Sequence, residues 1–353
     1  MSGYSYFPIL KTTDSELKAF ENLPDGIKGH ILPTFELTKS RRSKKNPIGD
    51  IGIRVAKLKE LLKKNPFILD LSVEESLVNT QIKDMLYDST NGFSTWTKFI
   101  RQLANSGMNV IPVIHYSPYD LDAVRLQIQT LSKISPLLAF RIELGDAAFV
   151  SDVLKHIAPE NLILIIDAKF VKLENREADK SDIFSDVLSE ITTAHGNKFK
   201  AIVCTLSGFP STVVAKGYGG DETGSFPIIE TATNKSLSKS FDVIHGDYSS
   251  VHPIRYDTGW GWVPRIDFCS EDNYFYHRIR REDGGYAAAA KRVKNDPNYH
   301  KTPHFSLWGD EQIALAANGT PERSNPAHWI AVRINLYIAR QFLRLRKSPQ
   351  VTL

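Results

Sequence analysis

The chain has 353 residues, 42% of them hydrophobic, so it can bury a large core and is not dominated by disorder. Its net charge of +4 is too small to indicate nucleic-acid binding by itself. The two cysteines, Cys204 and Cys269, form no CxxC pair, which argues against a cysteine zinc site and favours a reducing compartment. Because the chain opens without a signal-peptide pattern and no apolar run approaches ~20 residues, we expect a soluble, cytoplasmic protein without membrane contact.

Short apolar runs recur along the chain at regular intervals. They are near-continuous rather than alternating, which is typical of strands covered on both faces. The predicted strands are Phe7–Lys11, His30–Leu37, Pro66–Ser72, Asn109–His115, Leu137–Leu144, Leu162–Asp167, Lys200–Ser207 and Phe241–Asp247. Amphipathic helical stretches separate them, for example Ile51–Lys64, Thr95–Asn105, Ala123–Lys133 and Asp182–Thr193.

This alternation predicts an α/β fold, a (β/α)8 TIM-like barrel. An open doubly wound sheet is the alternative, but no glycine-rich turn follows the first strand. The helix at Ala327–Leu345 has the strongest pattern and is interpreted as the closing helix. We therefore expect one barrel domain over residues 1–353, with residues 248–326 inserted between strand eight and that helix. Such an insertion leaves from the catalytic face of a barrel and could act as a lid.

Seven of the eight predicted strands carry a charged or histidine side chain at or near their C-terminal ends. These residues are Lys11, Glu36, Asp70, His115, Arg141 with Glu143, Asp167, and His245 with Asp247. If they point inward, then Thr34, Ile68, Val113, Ala139, Ile165, Thr205 and Val243 fill the barrel below them. Burial of so many ionisable groups requires pairing, a metal or a ligand, although loops also begin with polar residues for no functional reason.

Several signals in the chain suggest specific chemistry. The carboxylates of Glu36, Asp70, Glu143, Asp167 and Asp247 are candidate ligands for a divalent cation, Mg²⁺ or Mn²⁺. Lys11, His115, Arg141 and His245 are candidate catalytic residues: the histidines as acid or base, and the two cations as phosphate-neutralising groups. The basic run Lys39–Lys45 is interpreted as a solvated loop or as a contact for an anion or nucleic acid.

Five segments in this order resemble the phage Beta protein family. They are YFPILK, ILPTFEL, HGDYSSVHP (His245–Pro253), LWGDEQI (Leu307–Ile313) and AHWIAVRINLYI. The resemblance implies a phage or anti-phage setting but lends no catalytic residues. Because Asp247, Tyr248, Trp308 and Asp310 match its most specific motifs, they are candidate cofactor-binding residues. The family often has a histidine near Asn335–Tyr337, and this chain has none there, so any role for that histidine is in doubt here.

Three hypotheses follow. The first is a barrel hydrolase, in its most specific form a metal-dependent phosphodiesterase or nuclease, that uses the strand-end residues. The second is a non-enzymatic binding module for a phage component, a nucleotide or another phosphorylated small molecule, or a partner protein. The third is a nucleic-acid-binding protein that uses Lys39–Lys45 and the insertion.

Overall fold

The computed structural model describes residues 3–44, 46–173, 177–214, 218–255, 262–301 and 307–346. In chain order the strands are β1 (Tyr6–Lys11), β2 (Thr34–Leu37), β3 (Phe67–Leu71), β4 (Val110–Pro112), β5 (Leu138–Glu143), β6 (Leu162–Phe170), β7 (Ala201–Ser207), β8 (Thr223–Pro227), β9 (Ile244–Asp247), β10 (Arg265–Cys269) and β11 (Asn273–Arg278). The helices are α1 (Asp14–Glu21), α2 (Asp25–Lys28), α3 (Ile51–Leu62), α4 (Thr80–Tyr87), α5 (Thr90–Asn105), α6 (Leu121–Leu131), α7 (Ala147–Leu154), α8 (Asp182–His195), α9 (Ile229–Leu237), α10 (Gly285–Asn295), α11 (Pro297–Lys301), α12 (Trp308–Ala317) and α13 (Pro326–Leu345). No described helix is both long enough and apolar enough to cross a membrane.

Eight parallel strands form the barrel, in the order β4-β3-β2-β1-β9-β7-β6-β5. The two edges meet at a single bridge between Val113 and Ala139, where Ile114 N donates to Ala139 O at 2.8 Å. The eight predicted strands and the TIM-like barrel are therefore confirmed, including the closing helix α13 and the insertion that precedes it.

The barrel lumen is filled by a separate small apolar cluster. It includes Phe7, Ile68, Ile111, Val113, Ala139, Ile163, Ile165, Ala201, Val203 and Ile244. These are the branched and small residues that a barrel interior accepts. Because Ile68, Val113, Ala139 and Ile165 are among them, the inward register predicted for β3, β4, β5 and β6 is correct.

Strand β9 has the opposite register from the one we expected. Ile244 belongs to the lumen cluster, whereas Val243 packs in the outer core between strands and helices. Gly246 also faces inward, since a Cβ there would lie 2.4 Å from Thr205 Cγ2. His245 and Asp247 therefore point outward, because strand side chains alternate with period two.

A second sheet of three antiparallel strands stands beside the barrel, in the order β10-β11-β8. Strands β10 and β11 come from the insertion, but β8 lies between β7 and β9. The structure around this sheet is thus built from two separate stretches of the chain. The boundary 248–326 for an inserted lid stays a prediction. Helix α13 packs against both α1 and β10 and so joins the barrel to this sheet.

Candidate functional site

Arg141 is the centre of a salt-bridge network at the C-terminal mouth of the barrel. Its Nη1 donates to Glu36 Oε1 at 2.8 Å and to Asp70 Oδ2 at 2.9 Å. Its Nη2 and Nε both donate to Asp167 Oδ2, at 2.7 and 3.0 Å. The network follows from strand register: Glu36 lies level with Asp70. Arg141 lies level with Ile165, two residues below Asp167 and on the same face of the sheet. One guanidinium thus holds three carboxylates from three strands.

Lys11 extends the network along β1. It pairs with Glu36 in the strand register, and its Nζ lies 3.3 Å from Glu36 Oε2 and 3.0 Å from Glu74 Oε1. The Nζ also donates to the Pro253 carbonyl at 2.6 Å. Glu74 and Pro253 belong to loops, so they were not among the strand-end residues predicted from the sequence.

Tyr248, the residue that follows β9, contacts the salt-bridge network through its hydroxyl group. Its hydroxyl lies 2.6 Å from both Arg141 Nη2 and Asp167 Oδ2. The remaining oxygen of Asp167, Oδ1, accepts from Thr205 Oγ1 at 3.1 Å and from Lys169 N at 2.8 Å. Every polar atom of this carboxylate therefore has a partner, and Tyr248 is a structural part of the mouth.

Burial and charge shift the pKa values of this network in opposite directions. Burial alone would raise the pKa of Glu36, but the charges of Lys11 and Arg141 outweigh it and lower this pKa to about 2. For Asp70 burial dominates over the attraction of Arg141, and its pKa is raised. The pKa of Lys11 is raised because its carboxylate neighbours outweigh its burial. Glu36 and Lys11 form an ion pair at neutral pH.

The five carboxylates proposed as metal ligands do not converge on one point. Glu36, Asp70 and Asp167 meet, but Arg141 occupies the position between them. Glu143 lies exposed at the rim and pairs with Lys169, and Asp247 faces away from the lumen. Across the described ranges no group of three or more histidine, cysteine, aspartate or glutamate side chains is placed to hold a metal ion.

His115, a candidate acid or base, does not face the barrel mouth. Its ring stacks on Trp96 at 4.7 Å between centroids, within the helical layer, and its Nδ1 lies 3.2 Å from Met85 O. Burial lowers its pKa to about 4, so it is neutral at physiological pH. The chain leaves the barrel wall after Val113. The alternation of inward and outward side chains along β4 therefore does not extend to His115.

His245 and Asp247 form a second buried cluster on the outer face of β9. Asp247 accepts hydrogen bonds from Tyr6 Oη at 2.7 Å, Tyr337 Oη at 2.8 Å and Ser249 N at 2.8 Å. His245 Nε2 lies 2.9 Å from Asp247 Oδ2, and burial lowers the pKa of this histidine. The cluster links α13 to the barrel. This structural role accounts for the presence of Asp247 in the motif and requires no bound ligand.

Trp308 and Asp310, the other motif residues, lie in α12 and are not among the described residues that line the main cleft. Asp310 Oδ1 accepts from Tyr299 Oη at 2.8 Å, and Lys18 Nζ lies 5.2 Å from the centre of a Trp308 ring. Between them, Gly309 lets α12 approach α13, because a Cβ there would lie 2.6 Å from Leu336 Cγ. This motif packs helices together.

Asn335 and Tyr337, near which the resemblance led us to expect a histidine, both have structural partners. Asn335 Oδ1 accepts from Gly309 N at 3.2 Å, and its Nδ2 donates to Ala19 O at 3.1 Å. Tyr337 donates to Asp247, as described above. These two residues link α13 to α12, α1 and the barrel.

A large cleft of about 1750 Å³ lies between the barrel mouth and the second sheet. Its walls come from the loops after β1, β2, β3, β7 and β9, from β10 and from the first turns of α13. Among the described residues that line it, nine are lysine or arginine and four are aspartate or glutamate. Lys11 lines the cleft, whereas Arg141 and Asp167 do not, so this space lies beside the salt-bridge network.

Two arginines in this cleft share a single carboxylate. Arg333 Nη1 donates to Asp267 Oδ2 at 2.9 Å, and Arg265 Nε lies 3.0 Å from Asp267 Oδ1. Both guanidinium groups also approach the ring of Phe209, Arg333 at 4.0 Å and Arg265 at 5.9 Å. Arg333 is 5% exposed, and burial together with the charge of Arg265 lowers its pKa. Neither arginine was among the residues predicted from the sequence, although a charged residue in the apolar pattern of Ala327–Leu345 was a usable signal.

The basic run after β2 forms part of the same cleft. Lys39, Arg41 and Arg42 line it, and Lys45 lies outside the described residues. Arg41 and Arg42 are exposed, and neither forms a salt bridge with a carboxylate in the described part of the chain. Burial, and next the charge of Arg42, lower the pKa of Lys39. These cations repel one another, and an anion bound here would relieve that repulsion.

One curated relative agrees with the family resemblance. Protein beta of Enterobacteria phage P4 is 29% identical over 348 residues, covering 96% of this chain and 93% of that protein. The carboxyl transferase domain of Rhizobium etli pyruvate carboxylase is 12% identical with a TM-score of 0.37, covering 95% of this chain and 48% of that chain, so this chain spans about half of its length. Triosephosphate isomerase of Bartonella henselae is 10% identical with a TM-score of 0.31, covering 70% of this chain and 91% of that chain.

Both structural similarities are too distant to inform function. The family model described as Beta protein matches residues 6–343, nearly the whole chain. The chain belongs to the phage Beta protein family.

Proposed function

We propose that this protein is a binding module for a phosphorylated ligand, which it holds in the cleft between the barrel mouth and the second sheet. The observation that carries the proposal is the pair of arginines, Arg265 and Arg333, which share Asp267 as their one carboxylate partner among the described residues. A buried cation without a full counter-charge is costly, and an anionic ligand would remove that cost.

The donor geometry also favours phosphate over a simple anion. Arg333 Nε is buried and has no hydrogen-bond partner among the described residues. The planar fork of a guanidinium can bind two phosphate oxygens at once, which is why arginine is preferred at phosphate sites. Arg265 is partly exposed to the cleft and can turn toward a ligand. An excess of lysine and arginine over the whole cleft would also attract such a ligand from solution.

A hydrolase, the first hypothesis from the sequence, remains a second proposal. Glu36, Asp70 and Asp167 are the buried carboxylates it needs, and each now has Arg141 as a salt-bridge partner. A carboxylate in this state is a poor general base or metal ligand unless Arg141 moves. The test is to incubate the protein with labelled oligonucleotides and nucleotides in Mg²⁺ or Mn²⁺. Cleavage that Asp167→Asn abolishes would restore the hydrolase as the leading function.

The binding proposal is tested by thermal melting with pyrophosphate, ATP and dTMP. A ligand that binds only the folded protein raises the melting temperature as its concentration increases. We expect such a rise for at least one of these probes, and a weaker rise for Arg265→Gln, because the variant removes one charge from the cleft. The matched control is Lys133→Gln, at an exposed site that does not line the cleft. Equal responses of the two variants, or no response with any probe, would refute the proposal.

A further inference from the structure

We propose that the ligand of the cleft is a single-stranded nucleic acid several nucleotides long, with one base stacked on Trp262. This inference rests on the proposed function and specifies its ligand. Three observations support it: the size of the cleft, the presence of two groups of cations, and an exposed aromatic ring that a cation supports from one side.

The cleft is larger than a pocket for one small molecule. Its volume is about 1750 Å³, whereas pockets for drug-sized ligands typically measure ~300–1,000 Å³. A mononucleotide would leave much of this space to water. A strand of several nucleotides would fill more of it.

The cations of the cleft come from two separate parts of the fold. Lys39, Arg41 and Arg42 belong to the loop after β2, on the barrel. Arg265 and Arg333 belong to β10 and α13. The phosphates of one mononucleotide are clustered and would satisfy one group. A polymer repeats its phosphate at every nucleotide and can contact both groups along its backbone.

Trp262 supplies a stacking surface within the same cleft. The residue is 39% exposed, which is high for tryptophan, and it lines the cleft wall. The guanidinium of Arg281 lies 4.3 Å from the centre of a Trp262 ring and supports the indole. An aromatic face beside a positive groove is the arrangement with which proteins bind single strands without strong sequence preference. Bases of a duplex are already stacked on each other, so the inference excludes double-stranded nucleic acid.

The test measures the affinity of the full chain for labelled oligonucleotides by fluorescence anisotropy. The probes are oligothymidylates and oligouridylates from one to twelve nucleotides and a blunt DNA duplex. We expect affinity to increase with length and then level off, to decrease with salt, and to be weaker for the duplex. The deoxy and ribo series distinguish DNA from RNA as the source of the strand, and preferential binding of either series supports the inference.

Two pairs of variants locate the binding. Trp262→Ala should weaken oligonucleotide binding roughly ten-fold or more, because a base–aromatic stack is removed, whereas Trp262→Phe should retain most of it. The double variant Arg41→Glu, Arg42→Glu should weaken binding and reduce the slope of log affinity against log salt by ~0.7 for each phosphate that the protein no longer neutralises. The double variant Lys98→Glu, Lys133→Glu makes the same charge change at exposed positions outside the cleft lining and should have a smaller effect.

The outcomes separate this inference from the proposed function. If dTMP or ATP binds as tightly as the longest oligonucleotide, and Arg265→Gln weakens it, the nucleic-acid inference fails and the phosphate site stands. Oligonucleotides could also bind while Trp262→Ala matches Trp262→Phe and the Arg41→Glu, Arg42→Glu variant matches its charge control. In that case the strand binds outside the cleft, and the inference is wrong. If no probe binds, both proposals fail.

Discussion

The hydroxyl of Tyr337 in the closing helix donates a hydrogen bond of 2.8 Å to Asp247 Oδ2 at the end of the last barrel strand. Asp247 is fully buried, and its other partners are Tyr6, Ser249 and His245. A buried carboxylate depends on such donors, because it has no access to water. Tyr337 therefore connects the closing helix α13 to the barrel through one charged group.

Tyr337→Phe tests this connection. The variant keeps the ring, which stacks on Tyr274, and removes only the donor to Asp247. We expect the free energy of unfolding in urea to decrease by about 2 kcal/mol, the range for a hydrogen bond to a charged group. Tyr119→Phe, at a 98% exposed position, is the matched control and should have almost no effect. Equal stabilities of the two variants would contradict the role given to Tyr337.

Arg141→Met tests the network in the barrel mouth. It leaves Glu36, Asp70 and Asp167 close together without their shared cation, so we expect a loss of ~3–5 kcal/mol in unfolding free energy at pH 7. The loss should shrink in acid, because protonation removes the repulsion among the carboxylates. Arg125→Met, which breaks the exposed pair with Asp122, should cost less than ~1 kcal/mol. A small effect of Arg141→Met that does not vary with pH would contradict the network.

Gly246→Ala tests the register of β9. The added methyl would meet Thr205 Cγ2 and Val203 Cγ1 in the lumen, so overpacking should destabilise the protein by ~1–3 kcal/mol. Gly145→Ala is the control, since a Cβ there has no atom within 4 Å. Urea unfolding of both variants decides the question. Equal stabilities would show that Gly246 does not face the lumen.

Glu230 predicts a dependence of stability on pH. Burial raises its pKa to about 8, its Oε1 accepts from Gly208 N at 2.9 Å, and its Oε2 has no partner in the described part of the chain. In the unfolded chain a glutamate has a pKa of ~4.3, so the folded form binds the proton more tightly and loses stability as pH rises from ~4.3 to about 8. Glu230→Gln removes this titration. Its stability relative to the native protein should increase over that range and level off above it. Parallel pH profiles for the two proteins would contradict the prediction.

Much of the barrel could be predicted from the sequence because buried parallel strands read as short apolar runs. The convergence of Glu36, Asp70, Arg141 and Asp167 followed from strand ends and period-two alternation. The register of β9 could not be obtained in this way. Its inward residues are Ile244, Gly246 and Tyr248, and the glycine interrupts the apolar pattern that would have marked this face. The ionisable residues between them, His245 and Asp247, led us to predict that they point inward instead.

The candidate binding site depended on tertiary structure that no local pattern shows. Arg265 and Arg333 are 68 positions apart and meet only because α13 packs against β10. The strand β8, which completes the second sheet, comes from before β9 and was not expected. By contrast, Lys39, Arg41 and Arg42 could be recognised in the sequence as a basic run. The sequence did not show that they line the cleft.

The central claim is that the cleft holds the ligand, and photo-cross-linking tests it most directly. An octamer of 5-iododeoxyuridine, bound to the full chain and irradiated, would be followed by mass spectrometry of the modified peptides. The account predicts adducts on the peptide that contains Trp262, and a reduced yield for Arg265→Gln. Adducts confined to peptides outside the cleft, or an unchanged yield for this variant, would contradict it.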